Sequence, residues 1–224
     1  VSSTDTSTNT GSSADLTFTT TASGGGGSPS GVVSDNFDGA LDTGIWTIVD
    51  ALGDSTVSVT GTQASITVPA GTKHDIWKTT NNAPRLMQAA NNTDFELEAK
   101  FDSAVSERIQ IQGIVVEQDA THNLRFDFYN DGTSTRIFSA SNVAGVATIQ
   151  IRTVITDGVP LYLRVNRAGD QWTASYSYDG ANWIVAGTYT HAMNVTSAGV
   201  FAGNTGSRPA HTALIDYFLV DGVP

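Results

Sequence analysis

Leu124-Arg125-Phe126-Asp127-Phe128-Tyr129-Asn130-Asp131-Gly132 reads as a β-strand running into a hairpin turn. Successive side chains of a strand point to opposite faces. Leu124, Phe126 and Phe128 therefore share one face, which must be core. Arg125, Asp127 and Tyr129 share the other. Asn-Asp-Gly then supplies the residues a tight hairpin turn needs. Working outward, the same alternation recurs. Upstream it runs through Thr56–Val59, Ala64–Val68, Phe95–Phe101 and Ile109–Gln112, followed by the more buried run Ile114–Val116. Downstream it runs through Thr135–Ala140, Ala147–Val154, Leu161–Arg167, Gln171–Tyr178, Trp183–Tyr189, Ala198–Ala202 and Ala213–Val220. Arg167-Ala168-Gly169-Asp170 and Tyr178-Asp179-Gly180-Ala181-Asn182 read as turns. No segment keeps a helical period. About a dozen short strands at regular spacing imply an all-β sandwich or barrel.

The chain has 224 residues, enough for one large all-β domain plus a fragment, or two small domains. It carries 22 acidic against 11 basic residues, a formal net charge of −11. That balance argues against nucleic acid, whose phosphates need a basic footprint, and against an anionic membrane surface. No apolar run is long enough for a membrane helix, so no membrane insertion is expected. There is no cysteine, which excludes disulfides and thiolate metal sites. Low charge with many small polar residues fits an extracellular protein, secreted or held at the cell surface. No leader-like segment stands at the start, as in a mature chain or one cut from a longer polypeptide.

Residues 1–20 end on the alternating Leu16-Thr17-Phe18-Thr19. One strand cannot fold alone. Three readings stay open: the last strand of a neighbouring module, a disordered Ser/Thr tail, or an extended arm that pairs with an exposed sheet edge. Residues 21–31, TASGGGGSPSG, form a flexible linker and the clearest boundary. Residues 32–224 form the main domain.

One stretch mixes residue types that a plain strand or loop does not need together: His74, Asp75, Trp77, Asn81, Asn82 and Arg85. Such a set can stack on an apolar sugar face and hydrogen-bond its hydroxyls. Arg125, Asp127 and Tyr129 offer a second polar face, which Arg136 just past the turn could join. Glu117 could pair across with Arg125. Taken singly, each has a structural alternative: Trp77 as a plug at the sandwich end, Arg125 with Asp127 as an ordinary ion pair, Arg85 on loop carbonyls. Trp46, Trp172 and Trp183 read as core or cross-strand packing, and His122, His191 and His211 as loop residues without metal-ligand spacing.

Three segments carry a family resemblance: SDNFDGALDTGIWTIVD at 34–50, YLRVNRAGDQWTASYSYDGANWIVAGT at 162–188 and ALIDYFLVDG at 213–222. Over Val33 to Gly222 the chain resembles the concanavalin A-like lectin/glucanase superfamily. Within it, the chain is similar to laminin G-like bacterial jelly rolls and to the C-terminal domain of some β-xylosidases. Residues 1–20 resemble the end of a fibronectin type III-like module. The resemblance implies a two-sheet antiparallel jelly-roll sandwich, one sheet concave and one convex, with paired first and last strands and an N-terminal extended arm. It implies glycan binding on or beside the concave face, where relatives carry a segment like His74-Asp75-Ile76-Trp77…Asn82-Ala83-Pro84-Arg85. It also allows a calcium ion at the paired ends, held by Asp35, Asp38, Gly39 and Asp216. The glucanase pattern Glu-x-Asp-x-x-Glu is not matched by Glu96-Leu97-Glu98, Glu107–Gln110 or Glu117-Gln118-Asp119, leaving only Glu117 with Asp127 as a carboxylate pair.

The expectation is a non-catalytic, lectin-like carbohydrate-binding module of a secreted or cell-surface modular protein, not an enzyme. Its partners would be a polysaccharide and neighbouring modules of the same polypeptide. The alternatives are a subunit of an extracellular fibre or adhesin that self-assembles through the N-terminal arm, and a glycoside hydrolase.

Overall fold

The computed structural model describes residues 28–222. The arm at 1–20 and most of the linker lie outside the described residues. In chain order the strands begin with β1 (Thr47–Val49), β2 (Thr56–Val59), β3 (Ala64–Val68), β4 (Ile76–Trp77) and β5 (Thr80–Asn81). They continue with β6 (Arg85–Ala89), β7 (Phe95–Phe101), β8 (Gln110–Asp119), β9 (His122–Asn130), β10 (Thr135–Val143) and β11 (Val146–Val154). The last five are β12 (Leu161–Ala168), β13 (Gln171–Ser177), β14 (Ile184–Thr190), β15 (Ser197–Asn204) and β16 (His211–Val220). The first sheet has the order β1-β6-β15-β8-β9-β10-β11, the second β14-β13-β12-β7-β16-β3-β2. Every pairing is antiparallel, and β4–β5 is a separate two-stranded hairpin. The chain is a two-sheet all-β jelly-roll sandwich.

The alternation in β9 sets the layers. Leu124, Phe126 and Phe128 face inward into the core between the sheets. Phe126 lies 6.1 Å from Trp172, and Phe128 meets Phe101 edge-on at 6.2 Å. The opposite face of the first sheet carries a second, smaller apolar cluster of Met87, Ile111, Val115, Phe138 and Phe201. Ile76 and Ala83, from the hairpin segment, complete it. The hairpin is thus packed onto the outer face of the first sheet.

The first and last parts of the described domain meet at a seam. Asp35 and Phe218 exchange two backbone hydrogen bonds, each 2.8 Å. The Asp35 carboxylate also accepts from the Phe37 amide at 2.7 Å and from the Trp46 indole at 2.7 Å. This holds Trp46 as a core anchor between Phe37 and Phe218. Within the stretch read as linker, Ser28–Gly31 pack against the domain. Ser30 is fully buried, its carbonyl accepts from the Asn91 amide, and the Ser28 hydroxyl donates to Asp221 at 2.6 Å. Gly31, at φ 74°, adopts a left-handed conformation that favours glycine and lies against the Asn91 side chain.

Two tryptophans test the layering. Trp172 is fully buried, whereas Trp183 lies on the outer side of the second sheet beneath Arg164, 3.8 Å from its ring centre. Trp172→Ala should lower the unfolding free energy by about 3–5 kcal/mol in equilibrium urea denaturation. Trp183→Ala should lose no more than about 1 kcal/mol, the worth of an exposed cation–π contact.

Candidate functional site

The site is built where the hairpin segment crosses the first sheet. At its near end His74 and Asn204 exchange backbone hydrogen bonds of 3.1 and 2.8 Å. Gly203 permits this approach, since a Cβ there would stand 2.7 Å from the His74 carbonyl oxygen. The Asn82 side chain closes the loop by accepting from the Asp75 amide and donating to the Lys73 carbonyl. Arg125 fastens the segment to β9. Its Nη1 donates to Asp75 at 2.8 Å and to the Ile76 carbonyl at 3.1 Å, and its Nε donates to Asp127 at 2.7 Å. The guanidinium lies between the Phe138 and Phe201 rings, 5.3 and 5.4 Å from their centres. Burial pulls Arg125 down, but Asp127 and Asp75 outweigh it and hold the guanidinium above its ordinary value. Burial pushes Asp127 up against the pull of Arg125.

Beside this junction opens a pocket of about 320 Å³. Its walls are Trp77, Ile109, Ile111, Phe138 and Ile149, and its polar groups come from Lys73, Asp75, Arg125, Tyr129, Arg152 and Thr205. Arg152 Nε donates to the Tyr129 hydroxyl at 2.9 Å, and Lys73 Nζ stands 3.5 Å from Asp75. Ile109 has φ 62°, a strained conformation for a β-branched residue. Its amide donates to the Asn130 carbonyl and its carbonyl accepts from the Thr205 amide, so both sides hold it there.

Of the residues expected at the site, Asp75, Trp77, Arg125 and Tyr129 line this one pocket. The others are placed elsewhere. His74 is fully buried, its ring between Asn204 and Asp54. Asn81 donates to the Ala120 carbonyl and Asn82 shapes the loop. Asp127 is 0% exposed and accepts from Arg125. Glu117 does not pair with Arg125: its partner is Arg85, 3.3 Å away, and both are buried. Burial raises Glu117, and Arg85 offsets part of that. Arg85 also donates to the Ala83 carbonyl, the loop contact weighed for it. Arg136 stays with Asp131 across the β9–β10 turn and does not join the pocket. His122 and His211 open strands β9 and β16 rather than lying in loops.

Lys73, Ile109, Ile111, Phe138, Ile149, Arg152 and Thr205 also line the pocket, though the sequence does not single them out for it. Ile149 and Arg152 are three residues apart, so strict alternation puts them on opposite faces. A register shift between Ser139 and Ala140 sets Ile149 opposite Ala140 and Arg152 opposite Phe138, bringing both to the pocket face.

At the four residues considered for calcium, the contacts seen are with protein groups. Both Asp35 oxygens serve Phe37 and Trp46, Asp216 accepts from Lys100 at 2.8 Å, and Asp38 and Gly39 are exposed. No cluster of three His, Cys, Asp or Glu occurs among the described residues.

Two antiparallel sheets, a seam between Asp35 and Phe218 and a covered outer face define a concanavalin A-like sandwich. A family model described as the beta xylosidase C-terminal concanavalin A-like domain matches residues 34–220, and the chain belongs to that family. No curated protein matches it in sequence. Among solved structures it is similar to the GH43 protein BlXynB from Bacillus licheniformis, with 20% identity and a TM-score of 0.69 over 84% of this chain and 38% of that one. GH43B of a Bacteroides ovatus xyloglucan PUL gives 16% identity and a TM-score of 0.67, covering 85% and 39%. A functionally unknown protein from Saccharomyces cerevisiae gives 12% and 0.62, covering 85% of this chain and all of that one. At these identities the likeness concerns the fold. The chain spans under two fifths of the length of the two GH43 proteins.

Gly203→Val should push the His74 segment off the sheet, seen as at least tenfold faster hydrogen exchange at the Asn204 amide, with the β9 amides unchanged. A second outcome concerns acid. Arg136 and then the Ser134 and Thr133 amides hold the Asp131 carboxyl down to about 2. Its folded value is depressed, so its stabilisation is complete above the ordinary carboxylate range and is lost as pH falls toward about 2. Asp131→Asn should remove that part of the stability change between about pH 4 and 2 in acid titrations followed by denaturation.

Proposed function

We propose that this domain is a non-catalytic glycan-binding module of a longer extracellular polypeptide, and that it holds β-1,4-linked xylose chains. The observation that carries the reading is the pocket beside Arg125. A half-buried indole forms one wall, while the Lys73–Asp75 pair and the Arg152–Tyr129 pair supply donors and acceptors from two sides. A sugar ring offers an apolar face to stack and hydroxyl edges to bond, and a pocket with few, converging polar groups suits it. Several such groups must act together, because water competes for each one.

The carboxylates support binding over hydrolysis. Glycoside hydrolysis uses two carboxyl groups flanking the bond. Here Asp75 is the one carboxylate among the pocket residues, and it is bound to Arg125. Glu117 stands opposite Asn123 and Asp127 opposite Gly113, each tied to its own arginine. The choice of xylose chains rests on the family description and on relatives such as the xylan beta-1,4-xylosidase of Bacillus halodurans. Neighbouring modules of the same polypeptide would then supply the chemistry.

Affinity electrophoresis in soluble xylan, with calorimetry on xylohexaose, tests the proposal. Trp77→Ala and Arg152→Ala should each weaken binding at least tenfold, about 1.4 kcal/mol, while Trp183→Ala leaves it unchanged. Equal retardation of all three variants, or none for the native chain, contradicts it.

A further inference from the structure

The outer face of the first sheet holds a second polar group that the pocket does not use. Among the described residues, eight buried side-chain nitrogen and oxygen atoms lack a hydrogen-bond partner. Seven belong to Asn81, Arg85, Glu117, Asn123, Asp127 and Asn142. The ladder explains the clustering. Glu117 on β8 stands opposite Asn123 on β9, and Asn123 stands opposite Asn142 on β10, so the three form one row across the sheet. Asn123 is 1% exposed, and both its amide oxygen and its amide nitrogen are unpartnered. Arg85 Nε faces Glu117 at 3.3 Å without hydrogen-bond geometry. The Asn123 amide and the Asn142 amide oxygen, left without hydrogen bonds beside a buried Glu117–Arg85 ion pair, are costly. They are also the groups that bond sugar hydroxyls.

The roof over this row is the tip of the β4–β5 hairpin, and it is lightly fixed. Arg125 and the buried Ile76 hold the base. The tip is held by side-chain bonds from Asn142 Nδ2 to the Lys78 carbonyl at 2.7 Å and from Asn81 Nδ2 to the Ala120 carbonyl at 2.8 Å, with Asn81 also beside the Glu117 carboxylate and Thr79 against Gly145. Each strand of the hairpin is two residues long, and Lys78 turns it at φ 57°. Water or a hydroxyl can replace either latch.

We propose that the Glu117–Asn123–Asn142 row is a covered extension of the pocket, and that a longer oligosaccharide lifts the hairpin tip and binds the row with its further sugar units. This rests on the glycan-binding reading above and adds chain-length selectivity to it. Trp77, packed 6.2 Å from Phe138, stays at the pocket while the tip lifts.

Calorimetry with xylobiose and xylohexaose, paired with hydrogen exchange on the intact chain, tests this. The native chain should bind xylohexaose at least tenfold more tightly than xylobiose. Xylohexaose alone should speed exchange at 78–81. Asn123→Leu should bring xylohexaose down to the xylobiose affinity and leave xylobiose binding unchanged, which also reports an intact fold. Asn123→Ala should do the same without added bulk. Equal native affinity for the two sugars, or a preference that survives both variants, overturns the covered extension and spares the pocket. Binding of neither sugar overturns the pocket reading itself, and the extension with it.

Discussion

A single guanidinium joins two pieces of chain fifty residues apart. Arg125 rises from the outer face of β9 and holds Asp75 and the Ile76 carbonyl of the hairpin segment on one side and Asp127 on the other. Burying three charges is costly, and such a cluster returns little net stability unless each bond is well made. What it fixes is position. Three bonds and contacts with two rings fix the base of the hairpin on the sheet. The pocket exists because the hairpin sits there: Asp75 and Trp77 come from the segment, while Tyr129, Phe138 and Arg152 come from the sheet.

The same sheet therefore does different work on its two faces. Its inner face is ordinary sandwich core, where Phe126 and Phe128 meet Trp172 and Phe101. Its outer face is graded along the strands, from the open pocket near Tyr129, through the Arg125 junction, to the buried row at Asn123. Backbone strain at Ile109, held from both sides, lies at the open end, and the unpaired polar atoms gather toward the closed end. Both features cost stability, and both border the outer face of the first sheet, as expected where a surface is shaped for something other than stability.

The fold was legible because strand alternation is a local signal. Leu124-Arg125-Phe126-Asp127-Phe128-Tyr129 alone separates core from outer face, and the repeats on either side make the sheets. The site was half legible. Asp75, Trp77, Arg125 and Tyr129 could be singled out by residue type and period. The Arg125–Asp127 pair follows from the period of two, but the other partners of the charges could not be read, because pairing depends on register. Glu117 faces Asn123 and reaches Arg85, whereas Arg125 meets a carboxylate from a loop. Arg152 and Ile149 stayed hidden behind a bulge that breaks the period of two. Ser28–Gly31 read as linker from composition, yet they dock through backbone groups that composition does not report.

A double-mutant cycle on Arg125→Met and Asp75→Asn, read by equilibrium urea denaturation, addresses the junction most directly. If the guanidinium pins the hairpin through Asp75, the two changes couple by about 1.5 kcal/mol or more, near the upper half of the range for residues in one network. Additive losses, within about 0.5 kcal/mol, would show that the hairpin holds its place without this pair.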